Sequence, residues 1–311
     1  MDLGQGVLAG DPLAISRAIT AAENGTPEGR RILEHIAPKI GNARRIGVTG
    51  PPGVGKSTAV DALTKVLRDR GERVGVIAVD PTSPFTGGAL LGDRIRMNRM
   101  ADDPGVFMRS MATRGAAGGL SRATQDAADL LDASGCQAVL IETVGVGQSE
   151  IEIARATDAV LVLLSPESGD GIQAMKSGLM EIADIIVINK ADRPGSDKIE
   201  YEIRAAMELG LKSRRNTPIL MTEAFRAKGI PELAGELDRF LGERRKDGRF
   251  AERRRENMKL RLRAIAEYMV HRELWGRDDA GERLAKAADS VLNRSMSSYA
   301  AAEKLVTEAL K

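Results

Sequence analysis

An apolar run, Ile46-Gly47-Val48, leads into Gly50-Pro51-Pro52-Gly53-Val54-Gly55-Lys56-Ser57, with Thr58 following. The eight residues have the form G-x-x-x-x-G-K-[ST], a phosphate-binding loop between a buried strand and a helix. Its glycines let backbone N–H groups turn inward onto phosphate oxygens, because no Cβ blocks the approach. The helix that opens near Lys56 adds its positive N-terminal end to the same anion site. Lys56 is placed to reach the β- and γ-phosphates, and the Ser57 hydroxyl to ligate Mg²⁺. A glycine-rich turn could match by chance, but a strand before and a helix after favour a nucleoside-triphosphate site.

The flanking sequence supplies the architecture. Apolar strands read at 45–49, 73–79, 106–108, 137–142, 158–164, 184–189 and 218–221. Helical stretches between them include 56–70, 121–133, 172–182 and 197–209. Short β-branched or leucine-rich strands alternating with helices predict an α/β fold, a doubly wound and mostly parallel sheet of the P-loop NTPase kind. Residues 1–42 read as an N-terminal helical extension, helical over 11–40, where Asp11-Pro12 and Thr26-Pro27 each set a capping oxygen before a proline at the first helical position. Residues 43–242 form the nucleotide domain. From 243 to 311 the strand signal stops and a basic run begins that includes Arg244, Arg245, Lys246, Arg249, Arg253, Arg254 and Arg255, interleaved with acids. Its readings are a basic patch for RNA, membrane or an acidic partner, or an amphipathic helix with a solvated charged face; the mixed signs favour the second. Apolar stripes on that tail need a partner surface, and a helical dimerisation arm is the expectation.

The base is chosen further on. Asn189-Lys190-Ala191-Asp192 follows the strand Ile185-Ile186-Val187-Ile188 and has the N-K-x-D form of guanine recognition. The Asp192 carboxylate can accept from guanine N1–H and the exocyclic amine, whereas adenine would face it with an acceptor. Discrimination of this kind can reach ~10⁴-fold. Lys190 can cover the base face, and Asn189 can brace the P-loop side. The ligand expected is GTP or GDP. Between the two motifs, Asp80 ends a strand beside the P-loop strand and Asp93 follows a glycine-rich loop. Both are candidates for Mg²⁺ or its waters, with Asp93 equally readable as the N-cap of a helix at 93–102. Glu142-Thr143-Val144-Gly145 occupies the place of D-x-x-G: Glu142 would hold a Mg²⁺ water, and the Gly145 N–H would sense the γ-phosphate. The next residue is Val146, not the water-positioning glutamine of Ras-like enzymes, and Gln148 lies two positions too late. Slow hydrolysis follows.

Composition narrows the rest. The 311 residues carry a net charge of +2 and only 3% aromatics, so neither nucleic acid nor an anionic membrane is an expected partner. Apolar runs of about six residues are too short to span a bilayer. One cysteine, Cys136, leaves no internal disulfide and fits a reducing, cytoplasmic setting; it reads as a small buried residue.

Taken together, Gly50–Thr58, Asp80-Pro81-Thr82-Ser83-Pro84, Gly87–Asp93, Arg109-Ser110-Met111-Ala112-Thr113-Arg114-Gly115, Glu142–Glu150 and Asn189–Asp192 resemble the MeaB-type methylmalonyl-CoA mutase-associated GTPases. These are SIMIBI-class P-loop proteins that have also been called lysine/arginine/ornithine transport kinases. The resemblance is dense over 44–240 and thinner at both ends. It implies a homodimer and a partner, the adenosylcobalamin-dependent methylmalonyl-CoA mutase, whose cofactor loading is gated by GTP and which is protected or reactivated. By motif, Lys56, Asp93, Glu142, Gly145 and Lys176 carry over as catalytic, and Ser57, Asp80, Asp93 and Glu142 as Mg²⁺ residues. The loop at 166–173 resembles an extra switch that signals to the mutase, through Gly169, Asp170, Gln173 and Lys176; Lys176 reads equally as an exposed helix lysine. Thr222-Glu223-Ala224-Phe225 resembles the guanine-edge loop, where the Ala224 N–H would meet guanine O6 and Glu223 and Phe225 flank the base. Glu167 and Glu223 depart from the family pattern. Two other classes share the P-loop. A metallochaperone GTPase needs a Cys/His cluster, yet Cys136, His35 and His271 are scattered. A small-molecule kinase is disfavoured by N-K-x-D.

Overall fold

The structure, a computed structural model, describes residues 2–80, 103–112, 122–143, 145, 149–166, 178–210, 216–276 and 278–309. Its N-terminal helices are α1 (Leu3–Leu8), α2 (Pro12–Glu23) and α3 (Pro27–Ile36). Strand and helix then alternate: β1 (Arg44–Thr49), α4 (Lys56–Asp69), β2 (Val74–Asp80), β3 (Val106–Ala112), α5 (Arg122–Ala133), β4 (Ala138–Glu142) and α6 (Ser149–Ala156). The second half continues with β5 (Ala159–Leu164), α7 (Leu179–Ile182), β6 (Ile185–Asn189), α8 (Ser196–Gly210), β7 (Ile219–Thr222) and α9 (Ile230–Lys246). Three helices end the chain: α10 (Arg249–Trp275), α11 (Ala280–Leu292) and α12 (Ser298–Ala309).

The seven strands form one sheet in the order β3-β2-β4-β1-β5-β6-β7, every neighbouring pair parallel. Side-chain alternation along a strand explains why they are apolar throughout. On one face Val139, Ile141, Val160, Val162, Ile186 and Ile188 join a core with the N-terminal helices and α5. On the other, Leu140, Leu161, Leu163, Ile185 and Val187 pack with residues of α4 and α9. Both expected proline-led caps are present: Asp11 accepts from the Leu13 N–H at 3.1 Å and Thr26 from the Gly29 N–H at 3.0 Å.

Two elements differ from the expectation. Strand β3 runs to Ala112 rather than 108, because its backbone pairs with β2 as far as Asp80↔Ala112. Polar Arg109 breaks the apolar run there, yet its guanidinium donates to Thr20 Oγ1 at 3.0 Å and to Glu23 at 3.3 Å on α2. Helix α1 forms despite Gly4 and Gly6, since both are buried; a Cβ on Gly4 would meet the His35 ring at 2.7 Å. The expected helix at 93–102 and most of that at 172–182 lie outside the described residues.

The basic run is largely the solvated helix expected, but three of its arginines turn inward. Asp184 and Asp158, whose side chains are 1% and 4% exposed, lie at the amino-terminal edge of the sheet. Asp158 accepts from the Arg45 N–H and from both Nε and NH2 of Arg254, at 2.7 and 2.8 Å. Asp184 takes Arg253 at 2.6 Å and Arg244 at 3.3 Å. Three of the arginines are thus internal clamps; others stay on the surface, as with Arg249 beside Asp247 and Arg263 beside Glu267.

The chain divides into two compact units, Met1–Arg254 and Arg255–Lys311. Within the second, the Arg283 guanidinium donates to the Leu305 carbonyl at 3.0 Å, joining α11 to α12. Among the described residues, no helix is long and apolar enough to cross a membrane.

Candidate functional site

All strands being parallel, their carboxyl ends share one edge, and β1 there stands between β4 and β5. Ligands of open parallel sheets bind at such an edge, where the winding changes direction. The P-loop springs from Thr49, and Gly55 caps α4 in the left-handed region. Gly50 has φ +141°, and a Cβ on it would sit 2.1 Å from the Leu163 carbonyl of β5; only glycine fits. Lys56 is buried, with its ammonium donating to the carbonyls of Gly50 at 2.8 Å and Pro51 at 3.0 Å. Pro52, Gly53 and Thr58 are exposed, while Val54 is buried beneath the loop.

Two described residues after β4, Thr143 and Gly145, lie against this loop. Ser57 Oγ donates to Glu142 Oε1 at 2.6 Å, the short range of a hydroxyl bound to a carboxylate. Thr143 donates its N–H to the Val48 carbonyl at 3.0 Å, and its hydroxyl meets that of Thr49 at 2.8 Å. Gly145 crosses the start of the P-loop at φ +87°: a Cβ there would be 2.2 Å from Gly50 O and 2.5 Å from Lys56 Nζ. Lys56, Ser57, Glu142 and Gly145 are therefore brought together. The buried carboxylate on the Ser57 hydroxyl is an all-oxygen donor set. It suits a hard divalent cation that takes one or two protein oxygens and fills its shell with phosphate and water.

Asn189 ends β6 with its carboxamide buried. Nδ2 donates to the Val54 carbonyl at 2.8 Å, and Oδ1 accepts from Thr222 Oγ1 at 3.1 Å and the Ala224 N–H at 3.0 Å. One side chain so ties the P-loop to the 222–224 loop. The Ala224 N–H, the expected donor to guanine O6, donates here to Asn189 Oδ1. Lys190 takes φ +58°, a costly conformation for a branchless but non-glycine residue, and Asp192 stands exposed beyond it, 4.0 Å from the Arg193 guanidinium. Glu223 is braced by Lys228 at 2.6 Å and Arg226 at 3.1 Å; these partners, Lys228 foremost, hold its carboxyl below the usual range. Phe225 is 79% exposed next to this loop.

Asp80 ends β2 at the same edge, two residues beyond the Ala78↔Glu142 pairing. Asp93, Gly169, Asp170, Gln173 and Lys176 lie outside the described residues. Sequence reasoning gave no role to Thr49, Thr143 or Thr222. Their only signal is a hydroxyl at the end of an otherwise apolar strand, where a buried polar group must find a partner.

Residues 15–279 match the family described as methylmalonyl Co-A mutase-associated GTPase MeaB. The chain is 45% identical over 303 residues to a Pyrococcus abyssi protein that bears a provisional GTPase name, covering 96% of this chain and 93% of that one. It is 30% identical over 321 residues to the mitochondrial methylmalonic aciduria type A homolog of Mus musculus, covering 97% and 77%. In fold it is similar to the crystal structure of an LAO/AO transport system kinase, with TM-score 0.73, 28% identity, and 99% and 97% of the two chains covered.

Proposed function

The chain belongs to the MeaB family of methylmalonyl-CoA mutase-associated GTPases, and from that premise we propose that its GTP cycle serves an adenosylcobalamin-dependent acyl-CoA mutase, methylmalonyl-CoA mutase in the first instance. In this reading, GTP gates loading of the mutase's cofactor and drives its protection or reactivation. The protein is a GTP hydrolase.

The observation that carries the reading is the seam between Ser57 and Glu142, with Gly145 laid across Gly50 and Lys56. A segment seated on the phosphate loop changes its contacts when the γ-phosphate leaves, and so passes the nucleotide state to whatever binds its far end. In this role Lys56 and the P-loop N–H groups hold the phosphates, the Gly145 N–H reads the γ-phosphate, and Asn189, Lys190 and Asp192 hold guanine. Ser57 and Glu142 would hold Mg²⁺, with Asp80 and Asp93 as further candidates; Mg²⁺ bound there supplies neutralisation of charge on the β- and γ-phosphates. Gly169, Asp170, Gln173 and Lys176 are assigned to the partner-facing switch by family resemblance.

With valine at 146, the chain has no glutamine where Ras-like enzymes orient water, and intrinsic turnover is slow. A single-turnover rate of about 1 s⁻¹ or more contradicts that. The C-terminal unit exposes Leu262, Met269, Leu284, Leu292 and Tyr299, side chains of the kind a partner surface covers. A second copy of the chain is assigned to that surface, giving a homodimer whose mass sedimentation would report. The decisive experiment is capture of purified cobalamin mutases on the immobilised protein with GTP, GDP or no nucleotide. Nucleotide-dependent retention of one mutase supports the reading, and equal retention of none in all three states refutes it.

A further inference from the structure

We propose that the buried hydroxyl pair Thr49–Thr143 is a positioning element for GTP hydrolysis, locking the Glu142–Gly145 segment in register over the P-loop. The two oxygens are 2.8 Å apart, on residues 0% and 1% exposed. Their place in the sheet gives the bond its meaning. Parallel pairing of β1 with β4 reaches Val48↔Glu142, and the Thr143 N–H then adds one further bond to the Val48 carbonyl. Beyond that point the backbone ladder cannot continue, because Gly50 turns away into the P-loop at φ +141° and Gly145 turns across it at φ +87°. The hydroxyl bond replaces the ladder where the two chains diverge.

On one side of the lock, the Glu142 carboxylate is bonded to Ser57 at 2.6 Å. On the other, Gly145 lies so close to Gly50 O and Lys56 Nζ that a single added carbon would overlap both. Thr143 is the only residue of the described segment fixed to β1 by both backbone and side chain. Its release lets Glu142 and Gly145 drift relative to the phosphates while leaving the P-loop and the guanine loop intact. Drift of about 1 Å in a positioned group can lower a rate by ~10²-fold. The effect belongs to the hydrolytic step, since bound GDP has no γ-phosphate for Gly145 to read. The two hydroxyls meet each other, so both threonines act through the segment they hold.

The test is the series Thr143→Val, Thr143→Ser and the double variant Thr49→Val/Thr143→Val, each measured for single-turnover GTP hydrolysis and for GDP affinity. Thr143→Val should slow hydrolysis by about tenfold or more and leave GDP affinity unchanged when that affinity is measured in a metal chelator, where the part of Glu142 in holding Mg²⁺ does not enter, and Thr143→Ser should restore the rate. The single valine strands the Thr49 hydroxyl and lowers stability. The double variant removes both hydroxyls at constant shape, so its melting temperature should recover while hydrolysis stays slow. A wild-type rate in Thr143→Val or in the double variant, or loss of GDP affinity in parallel with the rate, overturns the proposal. The inference rests on this edge being the nucleotide site, which Lys56→Ala tests separately through nucleotide binding itself.

Discussion

Asn189→Ala is the substitution whose cost the structure defines best. The carboxamide is 3% exposed and makes three bonds, to the Val54 carbonyl, the Thr222 hydroxyl and the Ala224 N–H. Alanine leaves all three groups without that partner. At ~1–3 kcal/mol for each buried group so stranded, even the lower bound gives a loss of about 3 kcal/mol, a large share of the ~5–15 kcal/mol typical of a domain. The assay is urea unfolding of the nucleotide-free protein, repeated with saturating GDP. Because Asn189 joins the phosphate loop to the 222–224 loop, its loss should also weaken GDP binding. The added stability from ligand is RT ln(1 + [L]/Kd), so a hundredfold weaker Kd removes roughly 2.7 kcal/mol of it. Asn189→Asp separates the two halves of the bridge. Its carboxylate can still accept from Thr222 and Ala224, but it turns an acceptor toward the Val54 carbonyl. A loss under about 1 kcal/mol in Asn189→Ala, with GDP affinity intact, would refute the bridge, since a net hydrogen bond of ordinary worth would then account for everything.

Lys56→Ala should abolish tight binding of GTP and GDP with the fold retained; unchanged affinity by calorimetry removes the P-loop from the site. Asp192→Asn should shift preference from GTP toward xanthosine triphosphate, because the amide donates to the oxygen that replaces the guanine amine; full GTP preference in the variant dismisses Asp192 as base reader. The Glu223 carboxyl is lowered on folding, so its bracing of the guanine loop is complete above the ordinary glutamate pKa of about 4.3 and is lost as pH falls through the depressed value. Guanine-loop protection in hydrogen exchange should therefore be level from neutral pH down to about 5 and fall only in stronger acid, whereas a decline beginning near neutrality contradicts the brace. Asp158→Ala takes the acceptor from the Arg45 N–H and the carboxylate from Arg254, which keeps the Gly41 and Ala43 carbonyls; it should cost ~1–3 kcal/mol with GDP affinity unaltered, measured by denaturation and calorimetry, and a stability change below about 0.5 kcal/mol denies the clamp.

The sheet was legible because a strand covered on both faces must be apolar at every position, as Val160 to Leu164 are. The P-loop was legible for a related reason: positive-φ glycines and a lysine at fixed spacing admit few backbone paths. Signals that depend on distant partners were not legible. Arg254 and Asp158 are 96 residues apart in sequence, so a run of arginines read as surface charge, although three of them neutralise buried carboxylates. That Asn189 meets both Thr222 and the Ala224 N–H was not legible either, because sequence shows a loop's composition and not where each amide points. Thr143 was visible inside its motif, yet its hydroxyl acquires a role only when β1 and β4 are set side by side.

That arrangement also explains why one edge of the sheet can carry buried acids while the other is read as a phosphate site. Asp158 precedes β5 by one residue, and Leu164 ends that strand beside the P-loop. Six residues at ~3.3 Å each separate the two edges by about 20 Å. Asp158 and Asp184 are moreover met by Arg254, Arg253 and Arg244, so little net negative charge remains to oppose a triphosphate. The arginines would be costly without the carboxylates, and the carboxylates without the arginines. Each member of the clamp is thus met by its partner rather than by nucleotide, whereas Lys56, with its ammonium gathered onto the carbonyls of Gly50 and Pro51, is a cation placed where phosphate charge would arrive.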